Sequence, residues 1–124
     1  GLGDVYKRQL INLDNKKPYF KIVTSELYEL NSINSAIMLE MNYMCDDVFK
    51  VGIITENSSN VTNFREIMSI NPKKTWNKIY IYMNDQIQFG NINDKFGIYI
   101  ESRKSLDKES SFYCYDNVKW LQLN

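Results

Sequence analysis

Four aromatic side chains have the chemistry of a sugar-binding platform: Trp76, Tyr80, Tyr82 and Tyr99. Each falls on the solvent-facing phase of an alternating stretch. The flat face of an aromatic ring stacks on the C–H face of a sugar, and nearby polar groups bind the hydroxyls. Here those polar groups would be Asn77, Lys78 and Glu101. Because Tyr and Trp also stabilise ordinary sheets through cross-strand pairs, a purely structural role for the four aromatics is the competing interpretation.

Catalytic chemistry finds little support in the sequence. Histidine is absent, which excludes Ser–His and Cys–His nucleophilic catalysis and His-ligated zinc. A glycosidase needs two carboxylates across one cleft, and no spacing pairs any two of the acidic candidates. Those candidates are Glu40, Asp46, Asp47, Glu66 and Glu101. We therefore expect a protein that is not an enzyme, with a small glycoside hydrolase as the least favoured hypothesis.

The two cysteines, Cys45 and Cys114, are too far apart in sequence to build a Cys-rich metal cluster. They fit either a single disulfide in an oxidising compartment or two half-buried thiols, and the sequence leaves both open.

The charge balance disfavours nucleic acid as a partner. The chain has 15 basic and 15 acidic residues, whereas a nucleic-acid binder carries a basic surplus that neutralises phosphates. No run of ~18 apolar residues is present, so we predict no transmembrane segment.

Strict alternation of apolar and polar residues predicts strands with one buried and one solvated face. Residues 37, 39, 41 and 43 point to one side of such a strand, as do 49, 51 and 53 of the next. An edge strand at 62–70 and a charged loop at 103–110 complete the pattern. The predicted strands are 20–24, 36–43, 48–55, 76–83, 96–100, 111–115 and 118–123. Their regular spacing, with turn residues between them, indicates an all-β fold of two antiparallel sheets packed as a β-sandwich.

The first nine residues lack this pattern. Residues 4–9 (DVYKRQ) are the translation that the codons GAT GTG TAT AAG AGA CAG would give, and those codons resemble the mosaic end of a transposase-based sequencing adapter. We interpret residues 1–9 as a non-native, adapter-derived segment and residues 10–124 as a single β-sandwich domain, truncated on its N-terminal side.

Three segments carry a family resemblance: residues 39–53 (LEMNYMCDDVFKVGI), 70–85 (INPKKTWNKIYIYMND) and 114–121 (CYDNVKWL). In this order and spacing they resemble the C-terminal domain of uncharacterised Bacteroidota surface lipoproteins, over roughly residues 20–123. The chain departs from that pattern by placing Cys114 at an aliphatic position and Trp120 where Leu or Val is common.

This resemblance implies a jelly-roll sandwich of the galactose-binding-domain type used by many carbohydrate-binding modules. It also implies a location at the cell surface or in the periplasm of a Gram-negative bacterium, with a lipid anchor through a missing N-terminus. Related modules often hold a structural calcium near the last strand, where Asp116 matches the acidic position; no other cofactor is implied. The alternative, in which Asp116 and Asn117 form a bulge, is favoured.

The leading hypothesis is thus a non-catalytic glycan-binding module, and it predicts that Tyr80, Tyr82 and Tyr99 lie next to one another. The alternative is a structural or protein-interaction module that docks another surface protein. That alternative predicts the same aromatics in the core or packed against a missing upstream segment, and an exposed apolar patch on one face would favour it.

Overall fold

The alternating stretches form strands of two antiparallel sheets. The computed structural model describes residues 4–6, 8–24, 26–29, 36–87 and 94–123. The first sheet contains β1 (Asp4–Tyr6), β2 (Gln9–Asp14), β5 (Ala36–Cys45), β8 (Lys73–Tyr82) and β10 (Ser110–Leu123). The second contains β3 (Tyr19–Val23), β4 (Tyr28–Glu29), β6 (Phe49–Glu56), β7 (Thr62–Ile70) and β9 (Lys95–Arg103). One helical turn, α1 (Asn84–Ile87), follows β8.

The strand order is that of a jelly roll. In the first sheet β10 lies between β2 and β5, and β8 forms the far edge; β1 also pairs with β10. In the second sheet β9 lies between β3 and β6, and β7 forms the far edge. The chain passes from one sheet to the other at most connections, and β6 and β7 form a hairpin within one sheet. The predicted fold class is confirmed, as is the edge strand at 62–70.

Alternation places one side of each strand in the core. In β5 every second residue from Ile37 to Cys45 is buried, and the residues between them are partly exposed. Four aromatic rings meet at the centre of the core. Phe49 contacts Tyr43, Tyr113 and Tyr115 edge to face, and Tyr113 stacks on Tyr115. Burying side chains of this size stabilises the fold by roughly 1.5–3 kcal/mol each.

Asp47 ties the β9–β10 loop (104–109) to the start of β6. Its carboxylate accepts hydrogen bonds from the amide and hydroxyl of Ser105 (2.7 and 2.6 Å), the hydroxyl of Ser111 (2.6 Å) and the amide of Val48 (2.9 Å). Burial raises the pKa of Asp47, but these hydrogen bonds outweigh it and lower the pKa from 3.8 to about 2. The predicted charged loop is therefore present and is held by a buried carboxylate.

Both cysteines are free thiols. Cys45 pairs with Tyr113, and Cys114 pairs with Met44, so the two residues lie on neighbouring strands but one position out of register. Their side chains consequently point to opposite faces of the first sheet, which rules out a disulfide between them. Burial raises the pKa of each thiol.

The N-terminal segment is described only at residues 4–6, 8 and 9; residues 1–3 and 7 lie outside the described ranges. Within it, β1 pairs with β10 and Gln9 pairs with Tyr115. Its adapter origin stays a prediction. No described helix has both the length and the apolar character that crossing a membrane requires.

Candidate functional site

Three of the four predicted aromatics lie on the outer face of the first sheet. Trp76, Tyr80 and Tyr82 belong to β8, the edge strand, and have exposed fractions of 44%, 55% and 56%. Alternate residues on a strand are ~6.5–7 Å apart, so Tyr80 and Tyr82 are neighbours in a row on one side of β8, and Trp76 continues that row beyond Lys78. We call this row the β8 aromatic row.

The outward side chains of β5 line the β8 aromatic row: Glu40 and Asn42 are polar, whereas Met38, the register partner of Tyr82, is apolar. Glu40 is the register partner of Tyr80, and Asn42 is the partner of Lys78. The Lys78 ammonium lies 3.2 Å from the Glu40 carboxylate. Lys78 thus fills its predicted place beside the aromatics, and the sheet adds Glu40 as its partner. Asn77, the other predicted polar group on this strand, is on the opposite phase from Trp76, and its Nδ2 donates to the hydroxyl of the buried Tyr43 at 3.3 Å.

Tyr99 does not join the β8 aromatic row, so the predicted adjacency with Tyr80 and Tyr82 is wrong. Tyr99 lies on β9, and its outward phase faces the opposite side of the sandwich because β9 belongs to the second sheet. Glu101, also on β9, lies away from the row for the same reason, and its nearest cation is Arg103 Nε at 4.0 Å.

Neighbouring side chains bury Tyr99, which is only 5% exposed. Its ring stacks on Phe64 with centroids 5.4 Å apart, and the Lys21 ammonium lies 4.0 Å from the Phe64 ring and 4.8 Å from the Tyr99 ring. The ring also lies over Gly52, where an added Cβ would be 2.2 Å from Tyr99 Cε1. Burial, together with the nearby Glu101 carboxylate, raises the pKa of Tyr99. Tyr99 therefore packs on the outer face of the second sheet, over Gly52 and against Phe64.

Asp116 lies in a bulge of β10, as the favoured interpretation predicted. The register shifts between Asp116 and Lys119, and Asn117 adopts a positive φ of 51°. The Asp116 carboxylate accepts hydrogen bonds from Arg8 Nε (3.2 Å) and Nη2 (3.0 Å). The Arg8 guanidinium carbon lies 5.3 Å from the centroid of the Trp76 ring. One end of the β8 aromatic row is thereby joined to the bulge.

A shallow pocket of about 410 Å³ lies at this junction. Its lining comes from three strands and from the residue before β2. It is lined by Arg8, Asn42, Trp76, Asn77, Lys78, Asp116 and Asn117. Calcium requires six to eight oxygen ligands, and among the described residues no three Cys, Asp or Glu side chains come together. The calcium ligand role of Asp116 stays a prediction.

The acidic candidates for hydrolysis lie in three separate regions. Glu40 is on the outer face of the first sheet, Asp46 and Asp47 anchor the β9–β10 loop, and Glu66 and Glu101 are on the second sheet. Four of the five lie near a cation: Lys78 for Glu40, Lys108 for Asp46, Lys50 for Glu66 and Arg103 for Glu101. Asp47 is held by the hydrogen bonds described above. Each of these carboxylates thus has a structural partner.

The sequence interpretation missed three residues of this face, namely Arg8, Glu40 as a site residue, and Asn42. Glu40 and Asn42 were on the outward phase of β5, but only the pairing of β5 with β8 and β10 places them beside Trp76 and Asp116. Such pairing joins residues distant in sequence, and no local signal reports it.

No family model and no curated protein matches this chain. Solved structures with the same fold do match. The family 11 carbohydrate-binding module of the cellulosomal cellulase Lic26A-Cel5E of Clostridium thermocellum has a TM-score of 0.52 and 10% identity, covering 98% of this chain and 94% of that one. A family 11 module from C. thermocellum in complex with a β-1,3-1,4-mixed-linked tetrasaccharide has a TM-score of 0.51 and 10% identity, covering 96% and 91%.

The fold also matches a structure of infectious bursal disease virus, Gt strain, with a TM-score of 0.53 and 11% identity. That match covers 98% of this chain and 37% of the viral chain. At these identities the likeness concerns the fold alone, and function must be argued from the site.

Proposed function

We propose that this protein is a non-catalytic carbohydrate-binding module whose binding surface is the outer face of the first sheet. The observation that carries the proposal is the β8 aromatic row, three exposed rings beside the Glu40–Lys78 pair. Rings in this position offer flat apolar faces for stacking on sugars, and the flanking charges and amides offer hydrogen-bond partners for hydroxyls.

The size of the row fits an extended oligosaccharide. Trp76 and Tyr82 are six residues apart on one strand, a span of about 20 Å at ~3.3 Å per residue. A ligand of several sugar rings could contact all three aromatics at once. Because sheet pairing holds the strand, ordering the backbone adds little to the entropic cost of binding.

Two further observations support this proposal. A carbohydrate-binding module with the same fold has been solved with a bound tetrasaccharide. The competing hypothesis of a protein-interaction module predicted that the aromatics pack in the core or against a missing upstream segment. Trp76, Tyr80 and Tyr82 instead lie outside the core and stay about half exposed, which contradicts the core-packing form of that hypothesis.

We also propose that the module belongs to a bacterial cell-surface lipoprotein. This part of the proposal rests on the resemblance of residues 39–53, 70–85 and 114–121 to such proteins. Protease treatment of intact source cells should cleave the native protein. A protein that stays uncut until the cells are lysed would contradict surface exposure.

A glycan array followed by calorimetry tests the binding function. The β-1,3-1,4-mixed-linked tetrasaccharide and its β-1,4-linked glucose counterpart are suitable first ligands. Replacing Tyr82 with alanine should weaken binding about tenfold, since loss of a stacking contact of ~1 kcal/mol adds to the loss of buried area. Phe64→Ala is the matched control, because Phe64 is 48% exposed on the opposite face. An array without any hit, or a Tyr82→Ala variant that binds like the parent, would refute the proposal.

A further inference from the structure

The pocket at the Trp76 end of the β8 aromatic row holds a cation. The Arg8 guanidinium lies over the Trp76 ring at 5.3 Å and donates two hydrogen bonds to Asp116. Stacking over an aromatic face and pairing with a carboxylate are the two interactions that recognise a guanidinium or an ammonium. Arg8 thereby shows which kind of group this pocket accepts.

The charges around the pocket favour a cationic ligand. Lys78 is the other cation in its lining, and Glu40 neutralises it at 3.2 Å. Asp116 therefore keeps one unit of negative charge for which Arg8 is the partner. Because the Arg8 side chain is 67% exposed, this partner is held weakly and can be displaced.

The bulge in β10 points Asp116 toward the pocket. The Asp116 carboxylate also accepts a hydrogen bond from the amide of Asn117 at 2.9 Å, which restrains it. Asn42 lies directly across from Asp116 on β5 and supplies an amide for neighbouring hydroxyls. An aromatic face, a restrained carboxylate and an amide thus line one pocket of about 410 Å³.

We propose that this pocket is an amino-sugar subsite, in which Trp76 stacks on the sugar ring and Asp116 binds its protonated amine. Arg8 occupies the subsite in the present chain and competes with such a ligand. This inference rests on the proposed function, because it names the sugar class for one end of the same face.

Three β-1,4-linked tetramers test the inference, because glucose, N-acetylglucosamine and glucosamine differ only in the C2 substituent. Binding is measured by calorimetry at low ionic strength on the full chain and on its Arg8→Gln variant. The Arg8→Gln variant should bind the glucosamine tetramer about tenfold more tightly than either neutral tetramer, the effect of one charge-assisted hydrogen bond. The parent chain should show a smaller preference, because Arg8 competes.

Two further variants separate the roles within the pocket. Adding Asp116→Asn to Arg8→Gln should abolish the preference for glucosamine while leaving binding of the glucose tetramer within about twofold. Adding Trp76→Ala to Arg8→Gln should weaken the binding of all three tetramers. Lys16→Gln is the control for the charge change, because Lys16 is exposed in the turn between β2 and β3 and is not part of the pocket lining. Thermal melting of each variant checks that it is folded.

The outcomes distinguish this inference from the proposed function. Equal affinity of the Arg8→Gln variant for glucosamine and glucose tetramers, or a preference that survives Asp116→Asn, would overturn the subsite. If neutral tetramers still bind in a Tyr82-dependent manner, the carbohydrate-binding function stands without it. If no tetramer and no other glycan binds to any variant, both proposals fail.

Discussion

Replacing Asp47 with asparagine should destabilise the protein at neutral pH and make its stability less sensitive to acid. Each carboxylate oxygen of Asp47 accepts one backbone amide and one hydroxyl: Val48 N and Ser105 Oγ on Oδ1, Ser105 N and Ser111 Oγ on Oδ2. A hydroxyl can turn and accept from an amide group. A backbone N–H cannot, so either orientation of an asparagine leaves one N–H facing another donor.

The expected size of this effect follows from the pKa of Asp47, which falls from 3.8 to about 2 on folding. A difference of almost two in the pKa means that the charged Asp47 contributes about 2 kcal/mol to the free energy of unfolding. An independent figure agrees, since a hydrogen bond to a charged group contributes ~1.5–3 kcal/mol. Because the pKa is lowered, this stability is fully present above about pH 4 and is lost as the pH falls toward 2.

Urea denaturation at pH values from 7 to 2 measures this contribution. Asp47→Asn should be about 2 kcal/mol less stable than the parent at pH 7, and the difference should shrink between pH 4 and pH 2. Asp107→Asn is the matched control, because Asp107 is an exposed carboxylate in the same loop. Equal stability of Asp47→Asn and the parent at pH 7, or a difference that persists unchanged at pH 2, would refute the role assigned to Asp47.

Three shorter predictions concern the packing of the two sheets. Gly52→Ala should destabilise the fold by ~1–3 kcal/mol, and by less in a Tyr99→Ala background, because the new methyl collides with that ring; urea denaturation measures both. Cys45 and Cys114 should both react with a thiol reagent without prior reduction, but only after denaturation. Trp120→Phe should cost less than ~2 kcal/mol in a melting assay and far less than Trp120→Ala, because no described residue accepts a hydrogen bond from the buried indole N–H.

The sequence predicted strand positions and phases well, because alternation is a local property. Ile37, Leu39 and Met41 point into the core, and Tyr80 and Tyr82 point out, as the pattern indicated. Turn residues were similarly informative, since Asn60 adopts a φ of 63° in the predicted turn between β6 and β7. The predicted strands at 111–115 and 118–123 are one strand, β10, which a bulge bends without interrupting its pairing.

The sequence could not predict which strands share a sheet. The outward-facing residues of β8 and those of β9 show the same alternation in the sequence. They nevertheless face opposite sides of the sandwich, because the two strands belong to different sheets. This is why Tyr99 was grouped with Tyr80 and Tyr82. The cysteines show the same limit, because their orientation depends on the register of β5 against β10. Long-range pairing likewise brings Arg8 to Asp116 across more than one hundred residues.

Tyr99 differs from Tyr80 and Tyr82 in how well neighbouring side chains cover it, and this difference concerns the exposed aromatic face of the first sheet. All three tyrosines occupy outward positions, and an outward tyrosine stabilises a sheet when neighbours cover it. The second sheet provides that cover for Tyr99 through Phe64 and Lys21, leaving 5% exposed. Tyr80 lies opposite Glu40 and Tyr82 lies opposite Met38 on β5, and the two rings stay 55% and 56% exposed. Exposed rings gain little from folding, and polar residues in their place would protect the edge strand better. The proposed function supplies a reason for their presence, because a bound sugar would cover both rings.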